Sequence, residues 1–386
     1  MLFLKRTEAT MNKVMAMLFL IFISIIVILS FLTPVKEFSS SENRMLEQKP
    51  KISLSLIANG KFTKNFEKYI SDQFPLRDFW IGVKSNVDKS IGKKESNGVF
   101  LGKDGYLLQD FKTPNSKILD ETVKSINTFA ESNKNVNTYF MMAPTSIKVY
   151  EDKLPNFAST EDELKYINIM KEKLDESVSF IPIYKTLNSK KHEYIYYKTD
   201  HHWTTNGAYY AYKTLGKYMG FTPLKKDYFN IKDLSNNFLG SLYSRGGFRN
   251  INPDTIQAFV PKNIENIDYE VWYSDTNKTL NSFYNKEKLN EKDKYAVFFD
   301  SNHPLVKVKT KVNGAVNDKK LLIIKDSYAN CLVPFLTSHY GEIYMVDLRY
   351  YDKNINDLIQ SEGIEDALIL YNTNTFFEDA SITNIM

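Results

Sequence analysis

The sequence predicts an α/β protein with a doubly wound parallel sheet, a β-rich insertion and an N-terminal transmembrane helix. Two blocks of the chain, residues 116–219 and 320–371, alternate between strand-like and helix-like patterns. Strands of the second block are continuously apolar, which is typical of parallel sheets covered by helices on both faces. A long apolar run near the N-terminus adds the membrane helix.

The N-terminus carries the signals of a membrane anchor. Lys5, Arg6 and Lys13 precede an apolar run over residues 14–32, and about 20 apolar residues suffice to cross a bilayer as a helix. The run is long for a signal-peptide core, and no small-residue cleavage site follows it. Because positive flanks stay in the cytoplasm, residues 1–35 are predicted to be a cytoplasmic tail and single-pass signal anchor. A buried core helix is the alternative, but no polar face interrupts the run.

Composition narrows the classes of partner. The chain has 386 residues, a net charge of +4 and no basic stripe, so no nucleic-acid partner is expected. Its one cysteine, Cys331, excludes a CxxC pair, a thiolate cluster and a disulfide within the chain. The predicted orientation of the anchor places the domain that follows it at the outer side of the cell membrane, and the single cysteine is compatible with such a domain without disulfides.

Residues 36–110 are predicted to be a connector, helices and a hairpin that pack on the main domain. Residues 57–95 place apolar positions at helical spacing and predict one or two helices. Residues 97–109 flank Lys-Asp-Gly with strand-like residues, which indicates a hairpin with a glycine-containing turn.

Residues 111–386 are predicted to form the main domain. We expect Thr204 or Thr205 to cap the helix that begins at Asn206. The two αβ blocks are predicted to share one sheet, and residues 221–318 to be an excursion rich in antiparallel strands. The predicted helices are 116–132, 161–176, 206–219, 328–338 and 355–362, and the predicted strands are 137–144, 179–184, 321–324, 342–346 and 367–371.

A serine follows one of the apolar strands. Active sites of parallel α/β sheets gather at the carboxyl ends of strands, and Lys325-Asp326-Ser327 follows the strand 321–324. A helix starting behind Ser327 would supply backbone N–H groups to a developing oxyanion. The alternative is that Ser327 merely caps that helix.

The stretch Thr199-Asp200-His201-His202-Trp203 holds candidates for a base and its orienting group. The preceding residues alternate and predict an extended segment, in which Asp200 and His202 share a face and His201 points away. Two adjacent histidines on an extended chain argue against a metal site, which stays as one alternative. A polar turn before a helix, with Trp203 as packing, is the other.

These motifs resemble the DHHW family, whose name spells Asp-His-His-Trp. More broadly, Asp-x-His-Trp early and Asp-Ser late resemble the alginate and related polysaccharide O-acetyltransferases. The resemblance implies an SGNH-hydrolase-like domain in which the Asp/His block precedes the serine block. Softer matches over residues 40–380 are SENR (41–44), DQFPLRD (72–78) and GKDGYLL (102–108).

The resemblance implies roles for the residues. Ser327 becomes the nucleophile, His202 the general base and Asp200 its orienter, with neither metal nor cofactor. The sequence departs from the family pattern at Lys325, which stands where glycine is usual, and in lacking a clear Gly-x-Asn-Asp block, so the second oxyanion donor stays open. Candidates for contacts to substrate or oxyanion are Arg349, Tyr371, Asn372, Asn374, Gly240 and Asp326.

The function expected from this resemblance is O-acetyl transfer to a cell-surface or exported polysaccharide through an acetyl-serine. A membrane-bound O-acyltransferase is expected to supply the acyl group, and the N-terminal helix would hold the domain near it. Alternatives are an acetyl esterase of the same fold, a non-catalytic glycan-binding or assembly protein, and a metal-dependent hydrolase.

Overall fold

A computed structural model describes residues 2–39 and 44–385. The chain divides into two compact units, Met1–Gly92 and Lys93–Met386. Ser41, Glu42 and Asn43 of the SENR match lie outside the described residues.

In the part of the first unit that the structure describes, the regular elements are helices and one short strand pair. The helix α1 (Leu2–Leu32) contains a segment, Met11–Leu32, that is long and apolar enough to cross a membrane. The helices predicted over residues 57–95 are confirmed as α3 and α4. The other elements are β1 (Phe38–Ser39), β2 (Arg44–Met45), α2 (Leu54–Ala58), α3 (Lys61–Asp72) and α4 (Arg77–Ser90).

The second unit opens with the predicted hairpin. Strands β3 (Glu95–Ser96), β4 (Val99–Leu101) and β5 (Leu107–Gln109) form a small antiparallel sheet. The turn between β4 and β5 contains Asp104 and Gly105, both with positive φ. Glycine adopts that conformation at little cost, which explains the Lys-Asp-Gly signal.

The first αβ block follows the predicted order. Thr204 is the N-cap of α9, and its hydroxyl accepts a hydrogen bond from the Gly207 N–H at 3.2 Å, as the sequence indicates. The elements are α5 (Ser116–Ser132), β6 (Asn137–Ala143), α6 (Ser146–Val149), α7 (Glu163–Lys173), β7 (Val178–Phe180), α8 (Tyr184–Ser189) and α9 (Thr205–Met219).

The insertion is rich in antiparallel strands, as predicted. Strands β8 and β9 pair only with each other among the described strands, and α10 lies between them in sequence. The elements are β8 (Phe229–Phe238), α10 (Ser241–Gly246), β9 (Asp254–Pro261), β10 (Ile267–Tyr273), β11 (Lys278–Leu280), β12 (Leu305–Val312) and β13 (Ala315–Val316).

The main sheet joins both αβ blocks. The second block supplies β14 (Lys320–Lys325), β15 (Glu342–Val346) and β16 (Asp366–Asn372). Strand β16 pairs in parallel with both β14 and β6, which gives a parallel core in the order β15-β14-β16-β6-β7. One shared sheet is therefore confirmed.

The main sheet is mixed rather than wholly parallel. This corrects the prediction that residues 221–318 leave the sheet as an excursion, because some of their strands extend it. Strand β12 pairs antiparallel with β15, and β10, β11 and β13 extend the sheet beyond it. Along β12, Val306 and Val308 are buried while Lys307 and Lys309 are partly exposed. Alternation of this kind marks a strand with one solvated face, which antiparallel pairing tolerates.

The helix predicted behind Ser327 is wrong as a single element. A 3-10 turn at Ser327–Ala329 comes first, and α11 covers only Val333–Leu336. Pro334 lies in the first turn of α11. Since proline lacks an N–H and clashes with the preceding turn, a helix can begin near it but not run through it. The last helices are α12 (Ile355–Glu362) and α13 (Thr373–Glu378).

Candidate active site

The structure brings Asp200, His202 and Ser327 together across 125 residues of sequence. His202 Nε2 lies 2.7 Å from Ser327 Oγ, and His202 Nδ1 lies 2.6 Å from Asp200 Oδ1. Asp200 and His202 are buried, whereas Ser327 is partly exposed. A partly exposed hydroxyl in hydrogen-bond reach of an oriented imidazole is the geometry that nucleophilic catalysis requires.

Protonation in this group follows from the contacts. Burial would raise the pKa of Asp200, but the neighbouring histidines and the Ser241 N–H hold that pKa well below its usual range. Asp200 is therefore a carboxylate and can only accept, so His202 Nδ1 carries the proton that it donates. In the neutral ring Nε2 is then an acceptor for the Ser327 O–H.

The histidine loop, Lys198–Trp203, is bent rather than extended, which corrects the predicted alternation. The chain reverses between Tyr196 and Trp203, which form an antiparallel bridge. The His202 N–H donates to Asp200 Oδ1 at 3.0 Å, so the carboxylate closes a turn on its own loop. The prediction that His201 points away is wrong, because its ring lies against the His202 ring with centroids 3.9 Å apart.

An aromatic ring from the insertion covers His202 as well. Tyr295 stacks on the His202 imidazole with centroids 3.7 Å apart and planes 10° apart. Its hydroxyl donates to the Ser327 carbonyl at 3.1 Å. Tyr295 therefore contacts both His202 and Ser327. Sequence reasoning missed it because it is one of 25 tyrosines with no motif around it.

The Gly240 N–H is engaged by Thr199, and Gly240 lies close against Asp200. Its N–H donates to Thr199 Oγ1 at 3.1 Å, so the candidate role as second oxyanion donor is wrong. A side-chain carbon added at Gly240 would lie 2.4 Å from Asp200 Oδ2. The next residue, Ser241, donates to that same oxygen from its N–H at 2.8 Å and lies with its Oγ 2.9 Å from it.

A second buried carboxylate holds the start of the histidine loop. Asp254 accepts hydrogen bonds from the Lys198 N–H at 2.8 Å, the Thr199 N–H at 2.7 Å and the Thr199 hydroxyl at 2.5 Å. Burial raises the pKa of Asp254. Asp254 lies on β9, so the insertion also sets where this loop begins.

The serine loop, Lys325–Tyr328, is fastened to the neighbouring strand. Asp326 accepts from the Tyr328 N–H at 2.8 Å and from the backbone and side-chain N–H groups of Asn372 at 2.7 and 2.6 Å. Burial raises the pKa of Asp326 to about 6. Asn372 is thus committed to Asp326, which argues against either of them as an oxyanion donor, and the Asn374 amide donates elsewhere, to the Asp110 carbonyl.

One backbone donor remains at Ser327 itself. Within residues 44–385, the Ser327 N–H has no hydrogen-bond acceptor, while the N–H groups of Tyr328 and Ala329 are used by Asp326. Ser327 opens the 3-10 turn, and the first N–H groups of a helical turn lack internal partners. This N–H is available to an oxyanion carried by the carbonyl carbon that Ser327 Oγ would attack.

Charged residues line the ends of β14 and β15. Lys325 is buried, and its Nζ donates to Asn330 Oδ1 at 3.0 Å and to Asn302 Oδ1 at 3.1 Å, with Asp347 3.7 Å away. Burial lowers the pKa of Lys325, while Asp347 opposes that shift. Arg349 forms a two-pronged ion pair with Asp347 at 2.6 and 2.8 Å.

Arg349 and Tyr371, the two other candidates for substrate contacts, differ in which of their polar groups is available to a substrate. The Arg349 side chain is 29% exposed despite its ion pair. The Tyr371 hydroxyl is buried and has no hydrogen-bond partner among the described residues. Burial raises the pKa of Tyr371 well above its usual range, so the hydroxyl is protonated and can donate.

Comparison with known families decides the relationship. The family described as DHHW protein matches residues 82–346. The chain belongs to the DHHW family. A DHHW protein from Eubacterium siraeum has a similar solved structure, with 27% identity, a TM-score of 0.65, and coverage of 75% of this chain and 96% of that one.

Two further solved structures are similar to this DHHW protein. PatB1 of Bacillus cereus, solved with a sulfonyl adduct, has 22% identity and a TM-score of 0.63, covering 73% of this chain and 97% of that one. The O-acetyltransferase domain of Pseudomonas putida AlgJ has 14% identity and a TM-score of 0.46, covering 75% and 99%. No curated protein sequence matches this DHHW protein.

By distance alone, three side chains of the histidine loop could also hold a metal ion. One ligand atom each from Asp200, His201 and His202 lie within 4.8 Å of one another. The same atoms already hydrogen-bond within the site: Asp200 accepts from His202 and Ser241, and His202 Nε2 lies against Ser327. An ion held by all three residues would have to displace some of these bonds.

Proposed function

We propose that this DHHW protein is a serine-dependent O-acetyltransferase that works outside the cell membrane on a cell-surface or exported polysaccharide. The observation that carries the proposal is the unbroken contact from Asp200 through His202 to Ser327, with distances of 2.6 and 2.7 Å. The Asp-x-His-Trp and Asp-Ser pair, which resembles the polysaccharide O-acetyltransferases, supports the choice of substrate. The motif order further suggests an SGNH-hydrolase-like domain in permuted form.

The first half-reaction loads the serine. His202 Nε2 takes the proton of Ser327 Oγ as that oxygen attacks the acetyl carbonyl of the donor. The bond from Oγ to the carbonyl carbon forms, and the negative charge moves to the carbonyl oxygen, within reach of the Ser327 N–H. The carbonyl then re-forms, the bond to the leaving group breaks, and His202 returns the proton to that group.

The second half-reaction transfers the acetyl group from Ser327 to the sugar. A sugar hydroxyl gives its proton to His202 Nε2 and attacks the acetyl-serine, so a new ester bond forms to the sugar oxygen. The bond to Ser327 Oγ then breaks, and Oγ recovers the proton from His202. Asp200 stays ionised throughout and stabilises the imidazolium that forms twice. Water in place of the sugar would make the same site an acetyl esterase.

The N-terminal helix supports the place of action. Met11–Leu32 could cross a membrane, and Lys5 and Arg6 before it favour a cytoplasmic N-terminus. Anchoring would hold the site near a membrane-bound O-acyltransferase, the class of protein that could deliver acetyl groups from inside. A tethered enzyme gains effective concentration toward a donor in the same membrane.

Replacing Ser327 tests the proposal. In the full chain purified in detergent, a fluorophosphonate or sulfonyl fluoride should label Ser327, and a chromogenic acetyl ester should be turned over. Ser327→Ala should lose both, while Ser189→Ala, which removes an exposed hydroxyl on α8, should retain both. Full turnover by Ser327→Ala would overturn the proposal.

Three measurements separate the alternatives. Acetyl groups appearing on an oligosaccharide acceptor identify a transferase, and release only to water identifies an esterase. Absence of labelling with an intact fold identifies a non-catalytic glycan-binding or assembly protein. Stoichiometric zinc with loss of activity in chelator identifies a metal-dependent hydrolase.

A further inference from the structure

A second line of contacts reaches Asp200 through its other carboxylate oxygen, Oδ2. Ser241 Oγ lies 2.9 Å from Asp200 Oδ2, and His201 Nδ1 lies 2.7 Å from Ser241 Oγ. The Asp200 carboxylate thus connects to two histidines, to His202 through Oδ1 and to His201 through one intervening hydroxyl.

Counting protons fixes the direction of these bonds. Asp200 is ionised and can only accept, and a serine hydroxyl has one proton to donate. If Ser241 donated that proton to His201, its oxygen would face Asp200 Oδ2 at 2.9 Å with no proton between them. Two acceptors facing each other in this partly buried contact are unfavourable. The Ser241 O–H therefore donates to Asp200, and His201 Nδ1–H donates to Ser241.

The rest of His201 is also held in place. Its carbonyl accepts the Tyr328 hydroxyl at 2.5 Å, and Tyr328 directly follows the nucleophile. Its ring packs on His202, on which Tyr295 also stacks. His201 is thus linked to α10 by its side chain and to the serine loop by its backbone.

We infer that His201 and Ser241 are positioning residues, which form a hydrogen-bonded relay that orients the Asp200 carboxylate toward His202. The inference rests on the proposed function, since orientation of the base matters only if Ser327 reacts. Ser241 holds Oδ2, which leaves Oδ1 to face His202 Nδ1. His201 keeps the Ser241 proton directed at Asp200 and limits rotation of the His202 ring.

The relay predicts a measurable tautomer. Free neutral histidine favours the proton on Nε2, but the relay requires it on Nδ1 of His201. Selective 15N labelling of the five histidines in the full chain, with His201→Asn for assignment, reads this directly by NMR at neutral pH. A protonated Nδ1 at His201 supports the relay, and a neutral His201 protonated on Nε2 overturns it.

This spectrum does not depend on activity, so it separates failure of the relay from failure of the proposed function. If the full chain is never labelled at Ser327 but His201 is protonated on Nδ1, the catalytic proposal falls and the hydrogen-bond geometry stands. If labelling occurs and Nδ1 carries no proton, the relay alone falls.

Amide substitutions test which ring nitrogen matters. Asparagine places an amide near the position of Nδ1 and glutamine places one near Nε2. His201→Leu should lower kcat of ester turnover about tenfold with little change in KM, the scale of one lost hydrogen bond. His201→Asn should recover most of the loss and His201→Gln little of it.

The opposite order would overturn the relay. The His201 side chain is 30% exposed. Recovery by glutamine and not by asparagine would show that Nε2 of His201, rather than Nδ1, makes the contact that matters for turnover. Ser241→Ala should match His201→Leu, and the double variant should lose no more than either, because both changes break one relay. Additive losses would also contradict it.

Discussion

The serine loop and the histidine loop are held in place by different parts of the molecule. The serine loop continues β14, and Asp326 fastens it to Asn372 at the end of the adjacent strand β16. The histidine loop lies outside every strand of the main sheet. It is held by residues of the insertion, among them Asp254 and Ser241.

The parallel strands and the insertion therefore position different residues of the site. The parallel strands position Ser327, at the strand end where sites of α/β folds gather, whereas the insertion positions His202 and Asp200. Changes at the insertion residues that contact the histidine loop should therefore reduce activity while the sheet stays folded. Changes at the end of the sheet should affect activity and stability together.

The largest expected effect tests whether the two histidines of the loop are equivalent. His202→Ala removes the base and should lower ester turnover by about 10^4-fold. His201→Ala leaves the base and should retain measurable turnover. Steady-state kinetics on both variants, with circular dichroism to confirm folding, checks the asymmetry. Equal losses would mean that His201 also takes part in proton transfer.

Gly240→Ala should disrupt the histidine loop from the insertion. Its new methyl group would overlap the Asp200 side chain, at 2.4 Å from Oδ2, and displacement of about 1 Å costs on the order of 100-fold in rate. Turnover should fall accordingly, while overpacking should lower stability by about 1–3 kcal/mol and leave the fold intact.

Gly314→Ala is the matched control for this substitution. Gly314 has φ of +79° and no atom near an added carbon, so alanine there costs about 1–2 kcal/mol of backbone strain and should leave turnover unchanged. If Gly240→Ala kept full turnover, the insertion would not control Asp200.

Tyr295 allows the ring contact to be separated from the hydroxyl. Tyr295→Phe keeps the stack on His202 and loses only the bond to the Ser327 carbonyl, about 1 kcal/mol. Tyr295→Leu loses the stack as well and should lower kcat further, by about tenfold relative to phenylalanine. Kinetics on the pair checks this order. Equal activity of the two variants would show that the ring contact is not needed.

The smallest expected effect is on the pH dependence of the free energy of unfolding, through Asp326 in the serine loop. The pKa of Asp326 is raised to about 6 by burial, so the folded state binds a proton that the unfolded state, with a pKa near 3.9, has released. Stability from this group is complete below that lower value and is lost as pH rises toward 6 and above. Asparagine at this position does not titrate.

Urea unfolding of the parent chain and of Asp326→Asn at pH 4.5 and 7.5 checks the sign. The stability of the parent chain relative to Asp326→Asn should decrease as pH rises, since other titrating groups cancel in the difference. An increase instead would mean that the Asn372 and Tyr328 donors outweigh burial and favour the ionised carboxyl.

Sequence alone determined the elements whose signals are local. The apolar runs of β14, β15 and β16 predicted parallel strands, because strands buried on both faces need no polar positions. The polar residues after those strands predicted where a site would form. The Asp-His-His-Trp motif and the serine motif were both visible, as was the cap at Thr204.

Tertiary structure decided everything that depends on contacts distant in sequence. The insertion supplies Tyr295, Ser241 and Asp254 to the site, and none of them carries a local pattern that distinguishes it from other polar or aromatic residues. The prediction from strand alternation failed at Asp200, because a carboxylate that accepts hydrogen bonds from its own loop reverses the chain within a few residues. Periodicity describes regular backbone only, so the orientation of His201 could be read only from the folded loop.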